Sequence, residues 1–238
     1  MRVALSVWIV MLAVVPFSSA AQQLQVQPLV VEFPPDASAT FITIANESAA
    51  PVTFQVRAFG WAQTTAGETL SPGDALGFSP PFATIPGGSS QVIRLVLQPP
   101  RGPGETAYQL VLDDIPPPTP ATGVHLQFRV KIPVFTESDR FAAAKIVWRL
   151  EPGAQGQATL VAANQGIKHL RIGMITLVLA DGTRVPVRPN GSFYVLPGVE
   201  RRWPVTAPAG ALRAGAKIEV TATGEHGPPH ATIIAGDS

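Results

Sequence analysis

Residues 123–137 read GVHLQFRVKIPVFTE. Val124, Leu126, Phe128, Val130 and Ile132 alternate with His125, Gln127, Arg129, Lys131 and Pro133. Side chains on an extended strand point to opposite faces in turn, so this alternation puts one apolar row on one face and polar or basic groups on the other. Pro133 has no backbone N–H to give to a ladder, which favours a strand at the edge of a sheet over one in its middle. A long edge strand carrying an apolar row invites pairing with another chain. Two uses of the row follow: the core face of an ordinary sandwich, or a surface presented to a partner.

The surrounding composition fits an all-β chain. The 238 residues include 25 Pro and 21 Gly, with 46% hydrophobic and only 14% charged. The apolar residues come in short Val-, Ile- and Ala-rich runs punctuated by turn formers, the pattern of β-sandwiches. The N-terminus reads as an export signal over residues 1–20. Arg2 gives a short positive segment, Ala4 to Phe17 an apolar core, and Ser18-Ser19-Ala20 the small residues of a cleavage site after Ala20 or Ala21. No other stretch is apolar for long enough to span a bilayer, so no membrane insertion is expected after cleavage. The chain has no cysteine, which excludes thiolate catalysis and thiolate metal sites and leaves stability to packed cores. Without Arg2 the count is 16 basic against 16 acidic residues, a balance that points to no nucleic-acid partner.

Further strands are expected at Gln23–Phe33, Ser38–Asn46, Val52–Trp61, Ser90–Gln98 and Ala107–Ile115, with a hairpin tip and short edge strand within Thr64–Pro80. Asn46-Glu47-Ser48 and Pro86-Gly87-Gly88 supply turns. The Pro-dense loop Pro116–Thr122 leads into the 123–137 stretch. About seven strands with turn signals roughly every ten residues is the immunoglobulin-like sandwich pattern. After a polar break at Ser138 a second series begins: Ala144–Leu150, Gln157–Ala163, His169–Leu179, Thr183–Val187, Ser192–Leu196, Arg201–Thr206, Lys217–Thr223 and Ala231–Ile234. The expected architecture is two tandem immunoglobulin-like β-sandwiches, residues 21–138 and 139–238.

The order of motifs resembles one family. Ile44-Ala45-Asn46, the segment Ile85 to Leu95 (IPGGSSQVIRL), Tyr108 to Pro116 (YQLVLDDIP), a Pro-rich loop and Ile132-Pro133-Val134-Phe135 together resemble the PapD-like periplasmic pilus-assembly chaperones of the chaperone–usher pathway. The pairing of Asp-Asp-Ile-Pro with Ile-Pro-Val-Phe looks most like its archaic, spore-coat-U-associated branch. The resemblance implies that the last strand of the first domain is lent to a pilin subunit lacking its own final strand, in a form of strand addition. On that basis the lent side chains are Val124, Leu126, Phe128, Val130 and Ile132. The implied partners are secreted pilin-like subunits and an outer-membrane usher, and no cofactor is implied. A self-capped oligomer is left open as the form of the free protein.

In the family, two basic residues anchor the C-terminal carboxylate of the pilin, and the matching positions are Val30 and Pro133, neither of them basic. A carboxylate still needs a charge-assisted donor, for which Arg129, Lys131, Arg94 and Arg57 are the candidates; the simpler reading of each is a solvated strand-face charge. Other chemistry finds little support. His226 and His230 flank Gly-Pro-Pro, which forbids the helix that would make them a ligand pair, and suggest a tail loop. Asp113 and Asp114 are adjacent, point to opposite faces and cannot act as a catalytic pair; one of them is expected to cap the loop or to pair with Arg129. Trp61, Trp148 and Trp203 read as core or interdomain packing residues. No nucleophile elbow, zinc motif or phosphate loop occurs, so no enzyme is expected. The competing reading is a secreted two-domain adhesive or structural module, with the 124–132 row buried in its own core.

Overall fold

The computed structural model describes residues 24–65, 67–98, 104–116, 127–136, 142–153, 157–188, 191–208, 210–224 and 230–236. The expected signal segment, the start of the 123–137 stretch with Val124, His125 and Leu126, and His226 lie outside these residues. Among the described residues every regular element is a strand.

The first ten strands form two sheets. One has four strands, β1 (Leu24–Gln27), β3 (Ala39–Asn46), β8 (Ser90–Leu97) and β6 (Leu76–Ser79), in that order. The other runs β2 (Val31–Phe33), β10 (Arg129–Thr136), β9 (Thr106–Ile115), β4 (Val52–Thr64), β5 (Gly67–Pro72), with β7 (Phe82–Ile85) also on β4. The stretch expected as a single first strand, Gln23–Phe33, is divided: Pro28 and the bend at Leu29-Val30 interrupt it, β1 pairing with β3 and β2 crossing to lie parallel to β10. The alternation places Ile42, Ile44, Phe54, Val56, Ile93, Leu95, Leu110 and Leu112 inside the sandwich, each at most 2% exposed. Burial of such rows is the main force holding the two sheets together.

The remaining strands make a second sandwich. Its smaller sheet is β11 (Ile146–Pro152), β12 (Gln157–Asn164) and β16 (Glu200–Thr206). The larger is β14 (Arg184–Val187), β13 (Leu170–Val178), β17 (Lys217–Gly224) and β18 (His230–Ile234), with β15 (Tyr194–Val195) on β13. Trp148 and Trp203 lie in its core, whereas Trp61 belongs to a separate cluster joining the sandwiches, with Phe135, Ala107, Tyr194 and Leu196. The chain is all-β, with two tandem immunoglobulin-like sandwiches.

Both sandwiches are pinned by a buried asparagine at a strand end. Asn46 Nδ2 donates to the carbonyls of Ala50 (2.8 Å) and Ile85 (3.0 Å), and its Oδ1 accepts from the Ser48 N–H. Asn164 Nδ2 donates to the carbonyls of Lys168 (2.8 Å) and Val195 (3.0 Å), and its Oδ1 accepts from the N–H groups of Gly166 and Lys145. Each asparagine's backbone carbonyl accepts from a turn glycine, Gly88 or Gly198, both of which adopt a φ near +70° that a side chain would oppose.

Candidate functional site: the open edge and outer face of β10

β10 is paired with β9 along its whole length, from Arg129 opposite Asp113 to Thr136 opposite Thr106. On its other side β2 covers only Val134, Phe135 and Thr136. Among the described residues, therefore, Arg129 to Pro133 have no partner strand on that side. The Asp114 N–H donates to the Phe128 carbonyl (3.1 Å), which sets the ladder's phase. By alternation Val130 and Ile132 turn their backbone groups to β9, while Arg129, Lys131 and Pro133 turn theirs to the open side. Pro133 thus lacks its N–H where the β9 ladder makes no use of it. The expected edge strand is an edge over this part only; beyond Pro133, β10 becomes internal.

The apolar row of this strand is continuous with the first core. Val134 and Ile132 are 0% exposed and lie inside the sandwich, Val130 is half-buried against the same cluster, and Phe128 is half-buried. The row changes its surroundings along its length: at Ile132 it is enclosed by its own domain, and towards Phe128 it emerges. β9 ends at Ile115, two residues beyond Asp113, which pairs with Arg129 at the start of β10.

Across the outer face, the register sorts side chains into rows. Arg129, Asp113 and Gln55 form the first, Lys131, Val111 and Arg57 the second, and Pro133, Gln109 and Phe59 the third. Phe135 and Ala107 begin a fourth, in which Trp61 packs 5.9 Å from Phe135 and meets Tyr194 of the second sandwich. The face passes from charged at its free end to apolar at the junction between domains. Three of the four candidate cations, Arg129, Lys131 and Arg57, share it. Arg94 does not: β8 is in the four-stranded sheet, and its phase turns Arg94 to that sheet's outer surface, opposite Phe41 and Ser79.

Arg57 and Arg129 both bind Asp113, Arg57 through Nε at 3.0 Å and Arg129 through Nε to the other oxygen. Burial works to raise the Asp113 carboxyl, but the hydrogen bonds from Arg129 and Arg57, with their charges, outweigh it and hold the group below the usual carboxylate range. The expected pairing with Arg129 is thus made by Asp113, while Asp114 points to the buried face. Lys131 is exposed, and none of the ion pairs among the described residues involves it. An open cavity of ≈ 480 Å³ adjoins this charged end, with Arg57, Asp113, Gln127, Phe128 and Arg129 in its wall.

The two positions matching the family's anchors are apolar in their settings too. Val30 packs on the Trp61–Phe135 cluster, and Pro133 is buried opposite Gln109. Two polar atoms there, Gln109 Oε1 and Trp61 Nε1, are buried without a hydrogen-bond partner among the described residues. Composition and alternation give no sign of either; only the register brings them beside Pro133 and Phe135. Among the described residues no group of His, Asp and Glu could hold a metal ion.

Residues 23–142 match the family model for the pili and flagellar-assembly chaperone, PapD N-terminal domain. No curated protein matches the sequence closely enough to stand as a relative. Among solved structures, the chain is similar to one from the CsuC–CsuE chaperone–tip adhesion subunit pre-assembly complex of the archaic chaperone-usher Csu pili of Acinetobacter baumannii. That match has 18% identity and a TM-score of 0.68, covering 90% of this chain and 100% of the other. The Pseudomonas aeruginosa CupB2 chaperone matches with 16% identity and a TM-score of 0.61, covering 89% and 100%. A chain from the Salmonella enterica SafA pilin–SafB chaperone complex matches with 13% identity and a TM-score of 0.60, covering 88% and 95%.

Proposed function

This chain belongs to the PapD-type pili and flagellar-assembly chaperone family, and on that premise we propose that it is a periplasmic chaperone that captures pilus or fimbrial subunits by lending them the strand entering β10 and delivers them to an outer-membrane usher. The observation that carries the reading is the half-covered edge of β10, where the apolar row leaves its own core while one side of the backbone is still unpaired. A subunit lacking a strand would take its main-chain hydrogen bonds from Arg129, Lys131 and the residues before them, and its groove would be filled by Val124, Leu126, Phe128 and Val130. Ile132 is the point at which the row passes from the partner's core into its own. The matched complexes support subunits as the partner class, and the Csu match supports the archaic branch.

With Val30 and Pro133 uncharged, the terminal carboxylate of a bound pilin falls to the outer-face cations. Lys131 is the first choice, since Arg57 and Arg129 are already held by Asp113. Export by residues 1–20, domains over 21–138 and 139–238, and self-capping of the free edge complete the proposal. It requires no cofactor and no catalysis.

The test is co-purification from the periplasm with the secreted proteins encoded alongside, comparing the native chain with Phe128→Asp and Leu126→Asp. A stable one-to-one complex, lost in both variants while thermal unfolding is unchanged, supports strand lending. Retention of the complex in the variants sinks it. Purification of every form alone favours the adhesive-module reading.

A further inference from the structure

The open side of β10 is a backbone edge that a second copy of this chain can compete for, and the charges along it decide how well. Arg129, Lys131 and Pro133 turn their backbone groups to that side, and their side chains share the outer face. Arg129 is tied to Asp113, a carboxylate that also holds Arg57. Lys131 is exposed and belongs to no ion pair among the described residues, and its neighbours across the sheet are Val111 and then Arg57. Its ammonium is therefore the uncompensated charge of this edge. Pro133 offers a carbonyl there but no N–H. From Val134 onward the same side is taken by β2.

Two copies joined along this edge about a twofold axis run antiparallel. Residues whose backbone groups turn to the open side then stand opposite one another, with their side chains on the same face. Few registers pair the stretch with itself. One sets Arg129 opposite Arg129, the next sets Arg129 opposite Lys131, and the next sets Lys131 opposite Lys131 with Arg129 facing Pro133. Sliding further brings Arg129 or Lys131 opposite Phe135, whose side is already occupied by β2. Every register that remains opposes cations across the seam, and like charges directly opposite destabilise a strand pair. Without the Lys131 charge the clash disappears from all of them except the one that sets Arg129 against itself. We infer that Lys131 keeps the open edge from pairing with a second copy and reserves it for a chain that brings no cation to that place. A lysine on an edge strand guards a sheet against edge-to-edge association by the same physics. On the reading of β10 as a lent strand, one side chain has two effects: it leaves the self-capped form weak at low salt, and it attracts the terminal carboxylate of the subunit that replaces it.

The test is sedimentation equilibrium of the full mature chain with no subunit present, comparing the native form with Lys131→Gln and Lys131→Arg. Lys131 is exposed, so all three should share one thermal unfolding profile. At about 20 mM salt, where charges are weakly screened, Lys131→Gln should self-associate about two- to fivefold more tightly than the native chain. Raising the salt to about 500 mM should tighten the native association and narrow that difference, because screening removes the repulsion. Lys131→Arg keeps the charge and should follow the native chain at both salts. Hydrogen exchange then locates the contact: the main-chain N–H of residue 131 should be protected in associated Lys131→Gln. Equal self-association of the native chain and Lys131→Gln at low salt would overturn the inference. So would Lys131→Arg behaving as Lys131→Gln does, or an unprotected N–H at residue 131. No subunit enters this measurement, so its failure is distinct from a failure of strand lending, which is judged by capture in Phe128→Asp and Leu126→Asp.

Discussion

The two sandwiches share a corner and differ at their closing strands. In each, an asparagine at a strand end ties that strand to a Pro-Gly turn with the same bonding pattern: Asn46 to Ile85 and Gly88, Asn164 to Val195 and Gly198. The closing strands are unlike. β18 has five residues, pairs with β17 along its length, and packs Ala231 and Ile233 against its core. β10 has eight, pairs with β9 along its length, and is covered on its second side at one end, by β2. A shared corner thus fixes two similar cores, while the first sandwich, among the described residues, closes with a strand that is covered on its second side at one end and open at the other.

The sharpest way to break this comparison lies within β10 itself. Ile132→Asp places a carboxylate in a fully enclosed site and should cost more than about 4 kcal/mol, unfolding the first sandwich. Phe128→Asp, four positions earlier on the same row but half-buried, should cost less than about 1 kcal/mol. Urea unfolding of both variants checks this, and similar losses would mean that the row has one environment throughout. Next in size are the corners. Asn46→Ala and Asn164→Ala each strand buried carbonyls and N–H groups and should lose about 2–4 kcal/mol. Equivalent corners predict losses in the two sandwiches matching to within about 1 kcal/mol in the same experiment.

A smaller effect separates the domains. Gln63 Nε2 donates to the Tyr194 carbonyl and its Oε1 accepts from the Leu196 N–H, both at 3.0 Å, bridging the first sandwich to the second. Gln63→Ala should cost about 1–3 kcal/mol, appearing as loss of coupling between the two unfolding transitions in calorimetry. The least is expected from acid titration of Asp113. Its native titration is lowered, so its contribution is present above the ordinary carboxylate range and is lost as pH falls through the lowered native value. With both arginines partly solvated the loss should stay below about 1 kcal/mol, and Asp113→Asn should flatten the acid limb of stability against pH.

Much of the fold was legible because strand alternation is a local property. Ile42 and Ile44, or Ile93, Leu95 and Leu97, declare their buried face by spacing alone, and their strands lie where expected. Gln23–Phe33 reads as one strand because nothing within it says that its two halves pair with different sheets; only the competition of β3 and β10 for those residues decides that. At the site, the alternating row and the edge proline were readable. That the row divides at Ile132 between its own core and the exterior was not, since alternation is identical on both sides of that point. Nor could the four candidate cations be sorted, because register across sheets brings Arg57, Arg129 and Lys131 together and sends Arg94 to the opposite side.

Sequence alone determined the class of the chain, the paired series of strands, the Pro-Gly turns and the alternating row with its edge proline. Each of these follows from the geometry of a few consecutive residues. Tertiary structure decided which side of β10 stays uncovered, where Pro133 does no harm, and that His169 of one sandwich meets Glu105, Glu32 and Phe135 of the other. Those depend on which distant backbones compete for the same hydrogen bonds and the same buried volume, and no local pattern carries that information.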